Sequence, residues 1–175
     1  MNNTSLTALG GIVTALSVFL MFLTGVIPFL TYIIPGLAGM LLIVLIADNN
    51  SKWAVMIYFA TSLLSILVVA DKESAIMYAL FFGYYPILKV FLDKHIAKIP
   101  AYLIKLLVFN AAIIASYFIV VYLLGIPFSD TFGKYTIPIL LVLGNVTFVL
   151  YDFVLNEFYS IYLSKLKRRI DKIFR

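Results

Sequence analysis

The feature that most constrains this chain is a succession of long apolar segments separated by short polar turns. Each segment is close to the roughly 20 residues that a helix needs to cross about 30 Å of hydrocarbon. The segments are too long and too continuous for alternating barrel strands, and only helices and closed barrels satisfy every backbone hydrogen bond in lipid. The sequence therefore predicts an all-α integral membrane bundle of six transmembrane helices. The predicted spans are Leu6–Ile27, Phe29–Ala47, Trp53–Ala70, Ser74–Leu92, Ala101–Leu124 and Tyr135–Leu155.

Composition excludes soluble and most catalytic classes. Hydrophobic residues make up 64% of the 175 residues and charged residues 12%, whereas soluble domains carry roughly 25% charged residues. There is no cysteine and His95 is the single histidine, which excludes disulfides, thiolate metal sites, histidine metal clusters and Ser-His-Asp triads. Phosphate-binding loop, zinc peptidase and nucleophile-elbow motifs are also absent from the sequence. We expect a non-enzymatic protein without a cofactor.

The start of the second span has two possible structures. Pro28 and Pro35 interrupt this apolar run, and each proline removes a backbone donor and disfavours helix just before it. The favoured prediction is a helix that begins at Pro28 and bends at Pro35. In the alternative, Pro28–Ile34 is an irregular apolar stretch that lies over the bundle, where other protein segments bury its backbone.

The basic residues predict the orientation in the cell membrane. Eleven lysines and arginines fall on the side of the termini, and only Lys72 and Lys134 fall on the other side. The positive-inside rule therefore predicts a multi-pass protein with both termini in the cytoplasm. The eleven are Lys52, Lys89, Lys94, Lys98, Lys105, Lys165, Lys167, Arg168, Arg169, Lys172 and Arg175.

Two units follow from this pattern, a six-helix transmembrane domain over residues 1–162 and a tail over residues 163–175. The tail alternates apolar and basic residues at helical spacing, with Leu166 and Ile170 beside Lys167 and Arg168. Such a basic amphipathic helix suits the surface of anionic cytoplasmic lipid. A nucleic-acid partner is not expected for so short a basic stretch next to a span.

Small residues form one face of the first helix near its cytoplasmic end. Thr7, Gly11 and Ala15 recur every four residues, a spacing that lets another membrane helix approach closely. This face predicts a docking site for another membrane subunit. Alternatively, it packs against other helices of the same chain.

Two amides lie midway along the last two spans. Asn110 and Asn145 are predicted to point into the bundle, because an amide that faces lipid is costly. They are candidate contacts for a polar solute. Alternatively, they bond each other or neighbouring carbonyls.

The turn before the fourth span and the nearby tyrosines are further ligand candidates. Asp71, three residues before Ser74, suits the N-cap of a helix, or it could provide polar contacts at the mouth of an outward-facing pocket. Tyr78 and Tyr117 lie near the same predicted face. Aromatic residues there form a boundary belt or line a pocket for a small organic ligand.

Four charged residues lie at similar predicted depth near the cytoplasmic ends of spans four to six. Opposite charges at one depth favour pairing, because an unpaired charge has to extend to the interface. A structural ion-pair cluster is the favoured interpretation, and a proton or ion relay is the alternative. The four are Lys89, Lys105, Asp152 and Glu157.

The run Gly83-Tyr84-Tyr85-Pro86 predicts a bend in the fourth helix. Pro86 removes the backbone hydrogen bond to Phe82. Bent spans often mark solute sites in transporters, and they also occur for packing alone.

Three segments resemble the S components of energy-coupling factor transporters, the membrane subunits that bind vitamins and other micronutrients for prokaryotic uptake. The similar segments are Ala8–Phe19, Ile27–Ala47 and Phe81–Leu107, which include Phe-Phe-Gly-Tyr-Tyr-Pro-Ile-Leu-Lys and Lys-Leu-Leu-Val-Phe-Asn. The family pattern Ala-x-x-x-Ala on helix one reads Gly11-Ile12-Val13-Thr14-Ala15 here. The resemblance implies a ligand pocket near the outer face and docking of the first helix on a transmembrane T component driven by two ATPases.

Together these features predict a non-enzymatic solute-binding subunit of an ATP-driven micronutrient importer. The candidate ligand contacts are Asn110, Asn145, Tyr78, Tyr117 and Asp71. The alternative is a membrane scaffold with no transported ligand, which predicts internally satisfied amides and a solid outer half. A proton-coupled carrier is a third possibility and predicts an isolated carboxylate in a cavity.

Overall fold

The computed structural model describes residues 3–27, 30–48, 50–125 and 136–174, and these residues form helices and turns without a β-strand. Five helical segments are long and apolar enough to cross a membrane, which confirms the predicted all-α membrane class. These segments are Asn3–Leu23, Ser51–Val68, Lys72–His95, Lys98–Leu123 and Leu141–Leu166.

Numbered along the chain, the described helices divide into α-helical and π-helical elements. The α-helices are α1 Asn3–Leu23, α2 Ile33–Met40, α3 Ile43–Ile46, α4 Ser51–Val68, α5 Lys72–Met77, α6 Tyr85–His95, α7 Lys98–Phe118, α8 Thr136–Ile161 and α9 Lys167–Phe174. The π-helices are π1 Tyr78–Phe82, π2 Ile119–Leu123 and π3 Tyr162–Leu166.

The second apolar segment is shorter than predicted. Its helical part extends over Ile33–Ile46, and these 14 residues are only about 21 Å long at 1.5 Å per residue. The predicted helix start at Pro28 lies outside the described residues, but the 3₁₀ and turn structure of residues 30–32 corrects the prediction of one full-length helix. Pro35 lies in the first turn of α2, where its missing N–H needs no partner.

The segment is interrupted after Met40, the last residue of α2, whereas Pro35 lies within α2. Leu41 and Leu42 form a turn between α2 and α3. A Cβ atom at Gly39 would lie 2.1 Å from the carbonyl oxygen of Phe82, so α2 meets the backbone of π1 in direct contact. Only glycine permits that approach.

Helices α1 and α4 are parallel neighbours, so the chain between them returns across the bundle. Gly10 packs against Ile57, and Gly25 lies beside Ala70. Between these contacts, Ser17 of α1 donates a hydrogen bond to the carbonyl of Ala38 in α2, at 3.3 Å. The short segment α2–α3 therefore makes the return.

Aromatic side chains fill the centre of the bundle. The ring of Phe81 lies 4.5 Å from that of Tyr85 and 4.9 Å from that of Phe109. Phe148 of α8 stacks on Phe109 with a centroid distance of 4.9 Å. This cluster joins π1, α6, α7 and α8 into one core, because offset and edge-to-face aromatic contacts hold neighbouring helices together.

The predicted interruption of the fourth helix is confirmed. Gly83 and Tyr84 form a turn between π1 and α6, and Pro86 lies in the first turn of α6. The backbone N–H of Gly83 donates to the carbonyl of Tyr78 at 2.8 Å, the longer spacing of a π-helix. Such wide turns are common where helices are locally distorted by function or packing.

The predicted tail is helical and continues directly from the last long helix. Helix α8 passes through π3 into α9, and Tyr162 of π3 is fully buried in the core. Lys167 at the start of α9 pairs with Asp48 at 2.8 Å. This ion pair connects the tail to the residues that follow α3.

The bundle has two ends with different contacts, named here after one residue each. At the Glu73 end, Thr24 and Ser74 share a buried hydrogen bond of 2.9 Å, and Tyr32 contacts Glu73. At the Asp93 end, Asp93 pairs with Lys105 at 2.5 Å.

Candidate functional site

A cavity of about 300 Å³ lies at the Glu73 end between α5, π1, α7 and α8. Its walls are largely aromatic and aliphatic, and a few polar groups face into it. Ligand pockets in proteins have this composition, and their volumes start at about 300 Å³. The lining includes Tyr32, Glu73, Phe82, Phe109, Tyr117 and Thr147.

Glu73 and Tyr32 bring the polar groups of the cavity together at its end. Asp71 caps helix α5 by accepting a 3.1 Å hydrogen bond from the N–H of Ser74, which fixes the first turn in which Glu73 lies. The hydroxyl of Tyr32, in the turn before α2, donates to the Glu73 carboxylate.

Lys72 is adjacent to Glu73 in sequence but does not neutralise it. Its Nζ donates to the carbonyls of Ile66 and Val69 at 2.8 and 2.9 Å, at the end of α4. No lysine or arginine among the described residues lies within 4.0 Å of the Glu73 carboxylate. Glu73 therefore has a hydroxyl partner and no cationic one in this part of the chain.

Of the five predicted ligand contacts, the lining of the cavity includes Tyr117. Asp71 acts as the N-cap of α5, which confirms its predicted capping. Tyr78 is fully buried in π1, against Tyr58 and Gly83. Neither of these two is among the lining residues of the cavity.

Asn110 and Asn145 bond each other, which is one of the two arrangements predicted for them. Each side-chain nitrogen donates to the other's oxygen at 3.0 Å. The second N–H of each amide donates to a backbone carbonyl four residues earlier, Leu106 at 2.8 Å and Leu141 at 2.7 Å. All four N–H donors are thus used within the protein, and the pair connects α7 to α8.

Sequence reasoning missed Glu73 and Tyr32 as cavity residues. A signal was present in the sequence, because Glu73 is the carboxylate in the first turn of α5 and does not act as the helix cap. The position of Tyr32 depends on where the irregular second segment begins, which the prolines left open.

The small-residue face of α1 is exposed. Thr7, Gly11 and Ala15 all lie on the outside of the bundle, and a Cβ atom at Gly11 would have no neighbour within 4 Å. The opposite face, which includes Gly10 and Val13, packs against the rest of the chain. Packing against the protein's own helices therefore does not explain the small residues.

At the Asp93 end, four charged side chains form a network in which Lys89, Lys105 and Asp152 are buried and Asp93 is exposed. Lys89 pairs with Asp152 at 2.5 Å and lies 3.6 Å from Asp93. Lys105 pairs with Asp93 at 2.5 Å and lies 3.9 Å from Asp152. The hydroxyl of Tyr85 donates to Asp152 at 2.5 Å.

This network confirms the predicted pairing and changes its membership. Asp93 takes the place expected for Glu157, which is exposed. The spacing of Lys89 and Asp93, four residues apart on one helix, is the sequence signal that could have found this partner. No group of three or more metal-ligating side chains occurs among the residues that the structure describes.

Comparisons with known proteins do not assign a family. No protein-family model, curated protein or solved structure is significantly similar to this chain. The cavity, the exposed face of α1 and the charge distribution are therefore the observations on which a function can be inferred.

Proposed function

We propose that this protein is the non-enzymatic solute-binding subunit of a prokaryotic ATP-driven importer of vitamin-like small molecules. The cavity at the Glu73 end is the observation that carries this proposal. It has about 300 Å³ of space, aromatic walls and a few polar groups, as expected of a site for a small organic ligand. A solid bundle, as the scaffold alternative predicts, would lack this space.

The charge distribution supports uptake from outside. The proposal places the protein in the cell membrane with both termini in the cytoplasm, as the excess of basic residues around the Asp93 end favours. The cavity then lies in the outer half. Because α1 and α4 are parallel, we take the return segment Ile33–Ile46 with its flanking turns as the sixth crossing.

Tyr117, Tyr32 and Glu73 are the ligand contacts that we propose on the basis of the cavity. Asn110, Asn145, Tyr78 and Asp71 are proposed to act on the ligand indirectly, by fixing the helices that carry the lining residues. The basic tail would contact anionic lipid, with Lys167 also connecting it to Asp48.

A docked partner supplies the energy in this proposal. By the resemblance to S components, the exposed face with Thr7, Gly11 and Ala15 would bind a transmembrane T component, which two ATPase subunits drive. Small residues let two helices approach closely in lipid, so dispersion and weak hydrogen bonds hold the pair. The open space at Gly11 supports this use of the face.

The central experiment is purification of the full chain from native membranes, followed by mass spectrometry of bound subunits and small molecules. We expect a T component, two ATPases and a small organic ligand. Recovery of the chain without these partners and without any ligand would contradict the proposal.

The two adjacent glycines of α1 provide a matched test of docking. Gly11→Leu adds bulk in open space, so we expect a folded protein that no longer recovers its partner. Gly10→Leu adds bulk 3.0 Å from Ile57, so we expect loss of thermal stability instead. Unchanged partner recovery with Gly11→Leu would remove the docking assignment.

A membrane scaffold without a ligand is the second candidate. The closed Asn110–Asn145 pair supports it, because amides that are satisfied within the protein are not available to a solute. A scaffold would recover protein partners in the same purification with no small molecule, and filling the cavity would not affect its assembly.

A further inference from the structure

We propose that the cavity at the Glu73 end binds a small organic cation that combines an ammonium-type group with an aromatic ring. The inference rests on the proposed solute-binding function and adds the chemical class of the solute. The evidence is the set of polar groups that line the cavity. The hydrogen bonds that these groups already make within the protein determine what they can still offer a ligand.

Among the described residues that line the cavity, Glu73 is the one that carries a charge. It accepts a hydrogen bond from Tyr32, which leaves acceptor capacity because a carboxylate has about four lone-pair sites. Lys72 is held by two carbonyls at the end of α4. A half-buried carboxylate with no cationic partner in the described part of the chain attracts a positive group and repels an anion.

The hydroxyl groups of the cavity favour the same ligand. Ser116 donates to the carbonyl of Ile113 at 2.8 Å, and Thr147 donates to the carbonyl of Leu143 at 3.0 Å. Because these two hydroxyl protons bond their own helices, the oxygen atoms remain as acceptors. A ligand with N–H donors satisfies them, whereas a carboxylate or phosphate does not.

The aromatic walls complete the match. Phe82, Phe109 and Tyr117 line the cavity beside the polar groups. Ring faces attract cations, most strongly where water is excluded, and ring edges and faces pack against a flat aromatic ligand. A hydrated metal ion would gain little from these walls, so the geometry points to an organic cation.

The two ends of the bundle differ in whether their carboxylates are paired with lysines. Further cavities, of about 470 and 320 Å³, lie at the Asp93 end, where Lys89 and Asp93 line both and Asp152 lines the smaller one. The two aspartates are already paired with lysines. The charge available to a ligand cation is therefore at the Glu73 end.

The test uses three probes with one skeleton and different charge, 2-phenylethylammonium, 2-phenylethanol and 3-phenylpropionate. Each is titrated calorimetrically into the purified full chain in lipid nanodiscs at neutral pH. We expect the ammonium to bind about tenfold more tightly than the alcohol, and the carboxylate to bind most weakly. Equal or reversed preference in the unmodified protein would overturn the proposal, and so would no binding of any probe at millimolar concentration.

A pair of variants then assigns the preference to one carboxylate. Glu73→Gln keeps the shape and removes the charge, so we expect the affinity for the ammonium to fall about tenfold while the affinity for the alcohol stays unchanged. Glu157→Gln removes an exposed carboxylate of α8 that does not line the cavity and should change neither affinity. If Glu73→Gln leaves the preference for the ammonium intact, the assignment is wrong.

The proposed function can fail or survive independently of this inference. An anionic or neutral ligand recovered from native membranes would retain the solute-binding role and refute the cation. Binding of 2-phenylethanol and 2-phenylethylammonium with equal affinity would also refute the cation and retain the solute-binding role. Recovery of no ligand and no transport partner would count against both.

Discussion

The carboxylates at the two ends of the bundle have different partners. At the Asp93 end, Asp152 is buried and held by Lys89 and Tyr85, each at 2.5 Å. At the Glu73 end, Glu73 is half-buried beside a cavity and bonds Tyr32, with no lysine or arginine of the described chain close to it. The comparison shows that a carboxylate in an apolar helix bundle can be paired with lysines or can lie beside a cavity with only a hydroxyl partner among the described residues.

The network at the Asp93 end is balanced in charge. Two lysines face two aspartates, so the formal charges cancel within a few ångströms. Burying a charge costs several kcal/mol per ion, and pairing with additional hydrogen bonds offsets this cost only when the geometry is good. Such a network fixes the register of α6, α7 and α8, and it contains no charge that is free to bind a solute.

The largest predicted effect tests whether this network is structural. Asp152→Asn keeps the shape of the side chain and leaves Lys89 buried without its close anionic partner. Because an unpaired buried charge remains, we expect the free energy of unfolding to fall by about 3–5 kcal/mol. The measurement is thermal unfolding in detergent, followed by fluorescence-detected size exclusion.

Two further variants make that result specific. Glu157→Gln removes an exposed carboxylate five residues later on the same helix and should leave stability unchanged. Replacing both partners, as in Lys89→Leu with Asp152→Leu, should recover most of the loss, because no uncompensated charge remains. A fully stable Asp152→Asn protein would show that the network does not hold the helices.

Much of the fold was predictable from the sequence because hydrocarbon allows few solutions. Five of the six apolar runs are long helices, and the interruption near Pro86 and the cap at Asp71 follow from local backbone chemistry. The short second segment was not predictable in length. Gly39 of this segment touches the backbone of Phe82, a tertiary contact that has no local sequence signal.

The candidate site was less predictable than the fold. Polarity alone indicated Asn110 and Asn145, but polarity does not reveal whether an amide finds its partner within the protein. The cavity depends on gaps between α5, α7 and α8, and such gaps arise from how side chains pack and not from their types. Tyr117 was identified because aromatic residues near the outer face are common both in belts and in pockets.

A smaller effect is expected between the two ends, at the amide pair. Asn110→Ala removes two hydrogen bonds to Asn145, and interhelical hydrogen bonds in membranes contribute about 0.6 kcal/mol on average and up to about 1.7. We expect Asn110→Ala to lower the free energy of unfolding by about 1 kcal/mol and to leave binding of 2-phenylethylammonium unchanged.

A double-mutant cycle distinguishes pairing from ligand contact. If the amides act only on each other, Asn110→Ala combined with Asn145→Ala should cost less than the sum of the single changes. Additive losses, or a selective loss of ligand affinity in either single variant, would place the amides in the binding site instead.

The smallest effect on stability is predicted for Glu73→Gln, and it gives the direct counterpart of Asp152→Asn. Both variants neutralise one carboxylate without changing its shape. Glu73 has no cationic partner among the described residues to leave unpaired, and a glutamine oxygen can still accept from Tyr32. We therefore expect a change in the free energy of unfolding within about 0.5 kcal/mol. The measurement is thermal unfolding of the two variants side by side. If Glu73→Gln is destabilised as strongly as Asp152→Asn, the proposed difference between the two ends is wrong. A carboxylate that contributes little to stability but controls cation affinity is the combination expected of a residue kept for binding.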